Sequence, residues 1–201
     1  MIGRRRMSVV LTGALLVLSV AACGVEGSGN IVTEARDVSD FDSIDVSQGI
    51  AVDVLVDGGG KYSVTVDYDD NVLDKLVTEV SSGTLVLKFN SSVRLSGSRS
   101  GRVVSVVMPR LVALAASGGA SVTAEGPAEQ LSIEASGGAS INTSDLIAGS
   151  VTVDASGGAS VRMFASASAT GDASGGASVS VVGSPSVLNI DTSGGASVSS
   201  R

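Results

Sequence analysis

A five-residue motif, Ser-Gly-Gly-Ala-Ser, recurs five times in the second half of this chain at almost constant spacing. The copies begin at Ser117, Ser136, Ser156, Ser174 and Ser193, so the intervals are 19, 20, 18 and 19 residues. A fixed period of this length is typical of proteins in which each repeat forms one unit that stacks on the next. The alternative interpretation is a flexible Gly/Ser spacer, which needs no apolar core.

The residues between the motifs alternate between apolar and small polar side chains, which is the pattern of half-buried β-strands. Leu131-Ser-Ile133-Glu-Ala135 precedes one copy, and Val151-Thr-Val153-Asp-Ala155 precedes the next. Equivalent strands of successive repeats would lie in parallel, about 4.8 Å apart. The side chains predicted to face inward, which argue against a spacer, are Leu131, Ile133, Ile141, Val151, Val153, Val161, Val179, Leu188 and Ile190.

We therefore predict an all-β fold, a parallel β-helix (solenoid), with coils of about 19 residues in the C-terminal half and less regular coils in the N-terminal half. A right-handed winding is expected because parallel strand crossovers prefer that hand. The paired glycines of each motif lie between two strands, where stacked backbones leave no space for a Cβ atom. These structural turn glycines are Gly118, Gly119, Gly137, Gly138, Gly157, Gly158, Gly175, Gly176, Gly194 and Gly195.

The composition excludes most familiar catalytic machinery. The chain has no His and a single Cys, so it cannot build a zinc site of the usual kind, a Ser-His or Cys-His nucleophile pair, or an internal disulfide. It has 13 basic and 20 acidic residues, and the net charge of −7 has the wrong sign for binding a phosphate backbone. The sequence therefore predicts no catalytic residue, no enzyme activity and no nucleic-acid partner.

The N-terminal residues have the pattern of an export signal. Arg4, Arg5 and Arg6 precede an apolar stretch that ends in Val20-Ala-Ala-Cys23. This ending resembles a bacterial lipobox, which implies that residues 1–22 are a lipoprotein signal peptide and that the Cys23 thiol is the lipidation site. An ordinary cleaved signal with an incidental Cys, or an uncleaved anchor, are the alternatives.

The domain boundaries follow from this interpretation. Residues 23–37 are expected to be the lipidated Cys and a flexible, glycine-containing tether. Residues 38–201 are expected to form a single β-helical head domain, with the regular repeats from about 111 to 201. The predicted location is the extracytoplasmic face of the cell membrane or the outer membrane, with the membrane bound through the lipid anchor.

An acidic residue stands two positions before each of the last four motifs. These residues, which we call the acidic row, are Glu134, Asp154, Asp172 and Asp191. Alternation places the carboxylates on the outer face, where neighbours about 4.8 Å apart repel by about 0.9 kcal/mol even in water. Splayed side chains and salt screening would relieve this repulsion. The alternative is a divalent-cation site, with Ca²⁺ suited to carboxylate and hydroxyl oxygens; no other cofactor is expected.

Three further segments have more than one interpretation. Residues 67–71, Asp-Tyr-Asp-Asp-Asn, are similar to part of a calcium loop but lack the central Gly and distal Glu of an EF-hand, which favours a solvated turn. The Ser/Gly-rich segment 90–102 carries Arg94, Arg99 and Arg102; a mobile surface loop is favoured over a clamp for an anionic polymer. Residues 72–80 fit a short helix or a loop turn.

Several segments, taken in order, resemble a known family. They are Phe41-Asp-Ser-Ile-Asp-Val-Ser-Gln-Gly-Ile-Ala-Val52, Gly83-Thr-Leu-Val-Leu87 and Met108-Pro-Arg-Leu111, followed by the Ser-Gly-Gly-Ala repeats. From about residue 38 to the end, the chain is similar to the bacterial auto-transporter adhesin, head GIN domain family. The resemblance implies an exported, β-helical, non-enzymatic envelope protein, and it offers no catalytic residues.

The sequence therefore predicts a membrane-anchored, non-catalytic lipoprotein whose β-helix is a binding or adhesion module for an envelope polymer or protein. The alternative is a structural or assembly scaffold. The last motif, Ser193–Ser197, ends four residues before Arg201 without an obvious cap, and exposed strand edges promote pairing between molecules. A homo-oligomer formed through the C-terminal coil is the form expected of such a scaffold. A polysaccharide-acting enzyme on a β-helix is the remote alternative.

Overall fold

The structure, a computed structural model, describes residues 24–95 and 101–201. The predicted signal peptide, Cys23 and Arg99 lie outside the described residues. The strands are β1 (Val25–Glu26), β2 (Ile31–Arg36), β3 (Ser43–Val46), β4 (Ala51–Val56), β5 (Ser63–Asp69), β6 (Leu76–Ser81), β7 (Thr84–Phe89), β8 (Val93–Arg94), β9 (Val103–Met108), β10 (Ala113–Ala116), β11 (Ser121–Ala135), β12 (Ser140–Ala155), β13 (Ser160–Phe164), β14 (Ser168–Ala173), β15 (Ser178–Val182), β16 (Val187–Thr192) and β17 (Ser197–Ser200). In the described ranges the only helical element is a 3₁₀ turn, Leu73–Lys75. The all-β prediction is confirmed.

The strands of successive repeats pair in parallel, each with its equivalent one repeat later. Strands that enter the motif form one row, which runs from β10 through the second halves of β11 and β12 to β14 and β16. Strands that leave the motif form a second row, from the first halves of β11 and β12 through β13 and β15 to β17. Each Ser-Gly-Gly-Ala-Ser motif therefore joins one row to the other.

The 20-residue interval between two of the motifs has a local structural cause. Thr123 pairs with Asn142, 19 residues on, whereas Glu125 pairs with Asp145, 20 residues on. One extra residue of β12 is thus absorbed as a β-bulge, which leaves the inward and outward alternation intact on both sides.

The space between the two rows is filled by small apolar side chains. Leu131, Ile133, Ile141, Val151, Val153, Val161 and Val179 are buried. Leu188 and Ile190 were predicted to face inward with them, but Leu188 is 43% exposed and Ile190 is only partly buried. Both lie on β16, which pairs with β14 alone among the described strands, so no further strand covers them.

The N-terminal half combines parallel pairs, which extend the two rows, with antiparallel pairs that were not predicted. β3 and β4 pair in parallel with β10 and β11, and β7 and β9 pair in parallel with β3 and β4. The rest includes antiparallel pairs: β2 with β5, β5 with β9 and β6 with β7. Antiparallel strands need only tight turns, such as the two-residue Ser82-Gly83 hairpin with φ of 50° and 78°.

The segment predicted as a short helix or loop turn is mostly strand. Only Leu73–Lys75 is helical, and Leu76–Ser81 pairs with β7. Glu79 on β6 and Glu34 on β2 place charges on the outermost strands of this half, which discourages pairing with another chain.

The segment predicted as a flexible tether is also corrected. Val25 and Glu26 pair in parallel with Val93 and Arg94, and Ile31–Arg36 pair antiparallel with β5. The physical reason is that polar side chains of this segment have hydrogen-bond partners about 40 positions away in the chain. Asp70 accepts hydrogen bonds from Ser28 Oγ (2.6 Å) and Asn30 Nδ2 (3.0 Å), so the glycines of the segment are held in place.

Candidate functional site

The acidic row is aligned by strand register. Glu134 of β11 pairs with Asp154 of β12, which pairs with Asp172 of β14, which pairs with Asp191 of β16. All four side chains are exposed. Parallel pairing keeps equivalent residues of adjacent strands next to each other, so the four carboxylates run in one line across the outer face.

The acidic row has one more member, towards the N-terminus, than the four acids predicted from the motifs. Ala115 of β10 pairs with Glu134 on one side and with Asp45 of β3 on the other, so Asp45 is a fifth acid in the same line. The sequence signal for this was available: Ser47-Gln-Gly-Ile-Ala51 follows Asp45 at the same distance as a motif follows each later acid. Gln48 and Gly49 adopt positive φ (60° and 77°), like the first glycines of the motifs.

Hydroxyl groups flank the acidic row. The adjacent outward positions are Ser132, Thr152 and Thr170, which are aligned in register as well. On the other side the motif serines lie at the corner, and a shallow depression of about 330 Å³ is lined there by Asp45, Ala115, Ala116, Ser117, Glu134, Ala135, Ser136, Asp154 and Ser156. The face is therefore a regular array of carboxylate and hydroxyl oxygens.

Among the described residues, no basic side chain forms an ion pair with the row. The ion pairs found within residues 24–95 and 101–201 are Arg36–Glu34, Lys75–Asp74, Lys88–Glu79, Arg102–Asp69 and Arg110–Asp42, all outside it. In the same residues, no three Asp, Glu, His or Cys side chains come close enough to hold a metal ion. Carboxylates of the row meet only as neighbours in a line, and calcium binding there stays a prediction.

The motif glycines keep this face regular by stacking backbone on backbone. Gly137, Gly157, Gly175 and Gly194 have φ of 64–68°. A Cβ on Gly157 would lie 3.1 Å from the Gly137 carbonyl oxygen, and the next two repeats have the same spacing. The neighbouring amides of Gly158, Gly176 and Gly195 donate hydrogen bonds of 2.6–2.7 Å to the carbonyls of the preceding repeat.

Residues 67–69 of the calcium-like segment belong to β5, and only Asp70 and Asn71 form the exposed turn that was predicted there. Asp69 is fully buried and forms a two-point ion pair with Arg102, with Nε–Oδ2 at 2.5 Å and Nη2–Oδ1 at 2.9 Å. The Gly29 amide donates a third bond to Asp69 Oδ1 at 2.6 Å. The hydrogen bonds from Arg102, with that from Gly29, lower the pKa of Asp69 to about 2, against the opposing effect of burial.

Arg94 and Arg102, the two arginines of segment 90–102 that the structure describes, therefore do not form a common anion clamp. Arg102 is 6% exposed and committed to Asp69, and Arg94 belongs to β8, paired with β1. The prediction of a mobile surface loop is wrong for the buried Arg102, whereas Arg94 is at the surface but lies in a paired strand. Sequence reasoning missed the pair because Asp69 and Arg102 are 33 positions apart in segments that do not repeat.

The family of the chain follows from a sequence match. The family described as "Putative auto-transporter adhesin, head GIN domain" matches residues 40–126 and 91–185. Together the two matches span well over half of the chain. The chain belongs to this family. Among curated proteins, none matches this head GIN domain protein.

Several solved structures are similar to this head GIN domain protein. A "putative adhesin" from Bacteroides fragilis is 17% identical, with a TM-score of 0.58, and the similarity covers 89% of this chain and all of that one. A "putative lipid binding protein" from Parabacteroides distasonis is 17% identical over the same shares, with a TM-score of 0.46. A "putative adhesin" from Parabacteroides merdae is 12% identical over 89% of this chain and 99% of that one, with a TM-score of 0.44.

These relationships define the functional class of the head GIN domain protein. The family is described as one of adhesins, so this protein is classed with adhesins and not with enzymes. An adhesin family indicates an extracellular or surface location. Across residues 24–95 and 101–201, no helix combines the length and apolar character needed to cross a membrane.

Proposed function

We propose that this head GIN domain protein is an exported lipoprotein, anchored through a lipid on Cys23, that binds a component of the cell envelope. Its repeats would wind as a right-handed parallel β-helix, with one coil per motif and the acidic row along one side. The parallel register of every pair of successive repeats supports this winding.

The acidic row is the observation that carries the proposed binding role. Five exposed carboxylates stand in one line, are flanked by hydroxyl groups and form no ion pair with a basic side chain in the described part of the chain. An unneutralised row of this kind complements a partner with basic groups, because opposite charges steer association and fix the register of binding. The stacked glycine turns hold the row rigid, so the protein loses little conformational entropy when it binds a partner.

The test uses the full-length protein in liposomes and isolated cell-envelope fragments fixed on beads. Replacing Glu134, Asp154 and Asp172 by Ser removes three charges from the row, and we expect retention to fall at least about fivefold. The matched control replaces Glu125, Glu129 and Asp145 by Ser, which removes the same charge from exposed sites outside the row. Equal retention of the two triple variants would contradict the proposal.

A second candidate function, an assembly scaffold, is favoured by one observation. Val187 and Leu188 on β16 are 49% and 43% exposed, and β16 pairs on one side only among the described strands. An exposed strand with apolar side chains is suited to pairing with a second copy of this chain. The two functions are compatible, since β16 forms one end of the acidic row.

A further inference from the structure

A second cleft lies on the N-terminal half, where four chain connections meet. It has a volume of about 590 Å³ and is lined by Asp40, Phe41, Asp42, Tyr62, Ser82, Gly83, Pro109 and Arg110. These residues come from the segment before β3, the residue before β5, the β6–β7 turn and the connection after β9. Loops held by a rigid scaffold are a usual place for binding sites. None of the lining residues belongs to the acidic row.

Tyr62 gives the cleft an aromatic surface. Its ring centroid is 4.9 Å from that of Phe41, which is 1% exposed, so the ring is fixed against the core. Tyr62 itself is only partly buried, whereas the other tyrosine of the chain, Tyr68, is 1% exposed. The face of an aromatic ring carries negative partial charge. Weakly positive C–H groups, such as those on one face of a pyranose ring, pack well on such a surface.

An ion pair supplies hydrogen-bonding groups next to the ring. Arg110 Nη2 lies 2.7 Å from Asp42 Oδ2, and the two side chains are 69% and 37% exposed. The backbone of Asp42 is held on both sides, because its amide donates to Gly83 and its carbonyl accepts from Val112. The pair therefore presents guanidinium donors and carboxylate acceptors side by side in a fixed place. A sugar hydroxyl, which both donates and accepts, matches this arrangement.

The charges of the cleft favour an uncharged ligand. Asp40 and Asp42 contribute two negative charges and Arg110 one positive charge, and the whole chain has a net charge of −7. An anionic ligand would be repelled both by the cleft and by the protein as a whole. A cationic ligand would gain little from an aspartate already paired with arginine.

We propose that this cleft binds a neutral hexose-based oligosaccharide, with one pyranose ring on Tyr62 and its hydroxyl groups on the Asp42–Arg110 pair. The site would give the adhesion module proposed above a glycan ligand, and it rests on that proposal for its biological role. The binding itself depends only on the cleft.

The experiment measures binding of neutral sugars to the full-length protein by titration calorimetry in a detergent without a sugar headgroup. The probes are maltotetraose, cellotetraose and the tetramer of N-acetylglucosamine, with tetragalacturonate as the acidic comparison. We expect at least one neutral probe to bind with a Kd below about 1 mM, more tightly than tetragalacturonate. Tyr62→Ala should weaken that binding at least about tenfold, and Tyr62→Phe, which keeps the ring, should stay within about threefold.

A second variant keeps the test valid if Tyr62→Ala does not fold. Arg110 is largely exposed, so Arg110→Ala removes donors without disturbing the core and should weaken binding about fivefold or more. Arg162→Ala, at an exposed arginine of β13, three strand pairings away from β4, is the matched control and should bind like the wild type. The inference is overturned if no neutral probe binds with a Kd below about 1 mM, if tetragalacturonate is preferred, or if the cleft variants bind like the wild type. These outcomes are independent of the acidic-row variants, which leave the cleft unchanged.

Discussion

At the scale of single residues, the turn glycines are not equivalent. The first glycine of most motifs has positive φ and approaches the backbone of the preceding repeat, whereas Gly138 has neither property and no atom lies within 4 Å of its Cβ position. Position within the motif therefore decides whether a side chain is tolerated.

Gly157→Ala is expected to lower the free energy of unfolding by about 1–2 kcal/mol, because a left-handed backbone is unfavourable for a residue with a Cβ atom. The new Cβ atom would also lie 3.1 Å from the Gly137 carbonyl oxygen, which adds a steric cost. Gly138→Ala is the matched control and should be neutral or stabilising by up to about 1 kcal/mol. Urea unfolding of both variants checks this, and equal losses would contradict it.

A second feature at this scale is the buried pair of Asp69 and Arg102, which makes the folding stability depend on pH in the acidic range. The pKa of Asp69 is lowered from 3.8 to about 2, chiefly by the Arg102 hydrogen bonds. Hydrogen bonds from Ser28 and Asn30 also lower the pKa of Asp70. The depressed folded-state pKa of Asp69 contributes stability that is complete above pH 3.8 and is lost as the pH falls towards 2.

We expect Asp69 to account for a loss of on the order of 2 kcal/mol between pH 5 and pH 2. Asp69→Asn should remove this part of the pH dependence and destabilise the protein at neutral pH by about 3–5 kcal/mol, since the buried Arg102 would lose the carboxylate that it bonds at two points. The measurement is urea unfolding across this pH range. Asp53→Asn, at an exposed aspartate of β4, is the control and should follow the wild-type profile.

At the scale of elements, the outermost strands of the two halves of the protein expose different kinds of side chain. The outermost strands of the N-terminal half, β2 and β6, carry Glu34 and Glu79, and β2 is fixed to β5 along its whole length. β16 instead exposes Val187 and Leu188. If the protein assembles, β16 is therefore the element through which it is expected to do so.

Light scattering on the detergent-solubilised full-length protein tests this expectation. The wild type should show a mass that rises with concentration, and Leu188→Lys should keep it monomeric because a buried unpaired charge is costly at an interface. Ile147→Lys, at a residue that is 64% exposed on β12, is the matched control and should associate like the wild type. A monomer at every concentration, or equal effects of the two variants, would exclude assembly through β16.

At the scale of the whole molecule, the fixed N-terminal segment would limit the orientation of the domain relative to a membrane. The Gly27 amide donates a hydrogen bond to the Arg94 carbonyl and the Gly29 amide donates one to Asp69, so the chain is held to the folded domain within a few residues of Cys23. A lipid on Cys23 would then hold this side of the domain at the bilayer surface, without the slack of a flexible linker.

Lipid anchoring is tested by expressing the full-length chain in a bacterium that processes lipoproteins. The wild type should incorporate labelled palmitate, whereas Cys23→Ala, which removes the only Cys of the chain, should not. Ser19→Ala leaves the Cys in place and should be labelled. Label in the Cys23→Ala variant, or none in the wild type, would argue against the anchor.

The sequence alone determined the parallel register of the repeats, the buried alternation and the line of acidic residues. These features follow from a motif that recurs at one period, so a local rule, applied to each copy, predicts the contacts between copies. Even Asp45 could have been found in this way, because Ser47-Gln-Gly-Ile-Ala51 is a variant of the motif.

Only the tertiary structure decided the features made by segments that do not repeat. The Asp69–Arg102 pair, the held segment 24–30 and the cleft around Tyr62 each join residues that are more than 20 positions apart in the chain. No period or local propensity encodes such partners, since each forms once and depends on how the antiparallel strands of the N-terminal half pack. A repeated motif allows contacts between distant residues to be predicted from the sequence. Contacts between segments that do not repeat can be seen only in the folded structure.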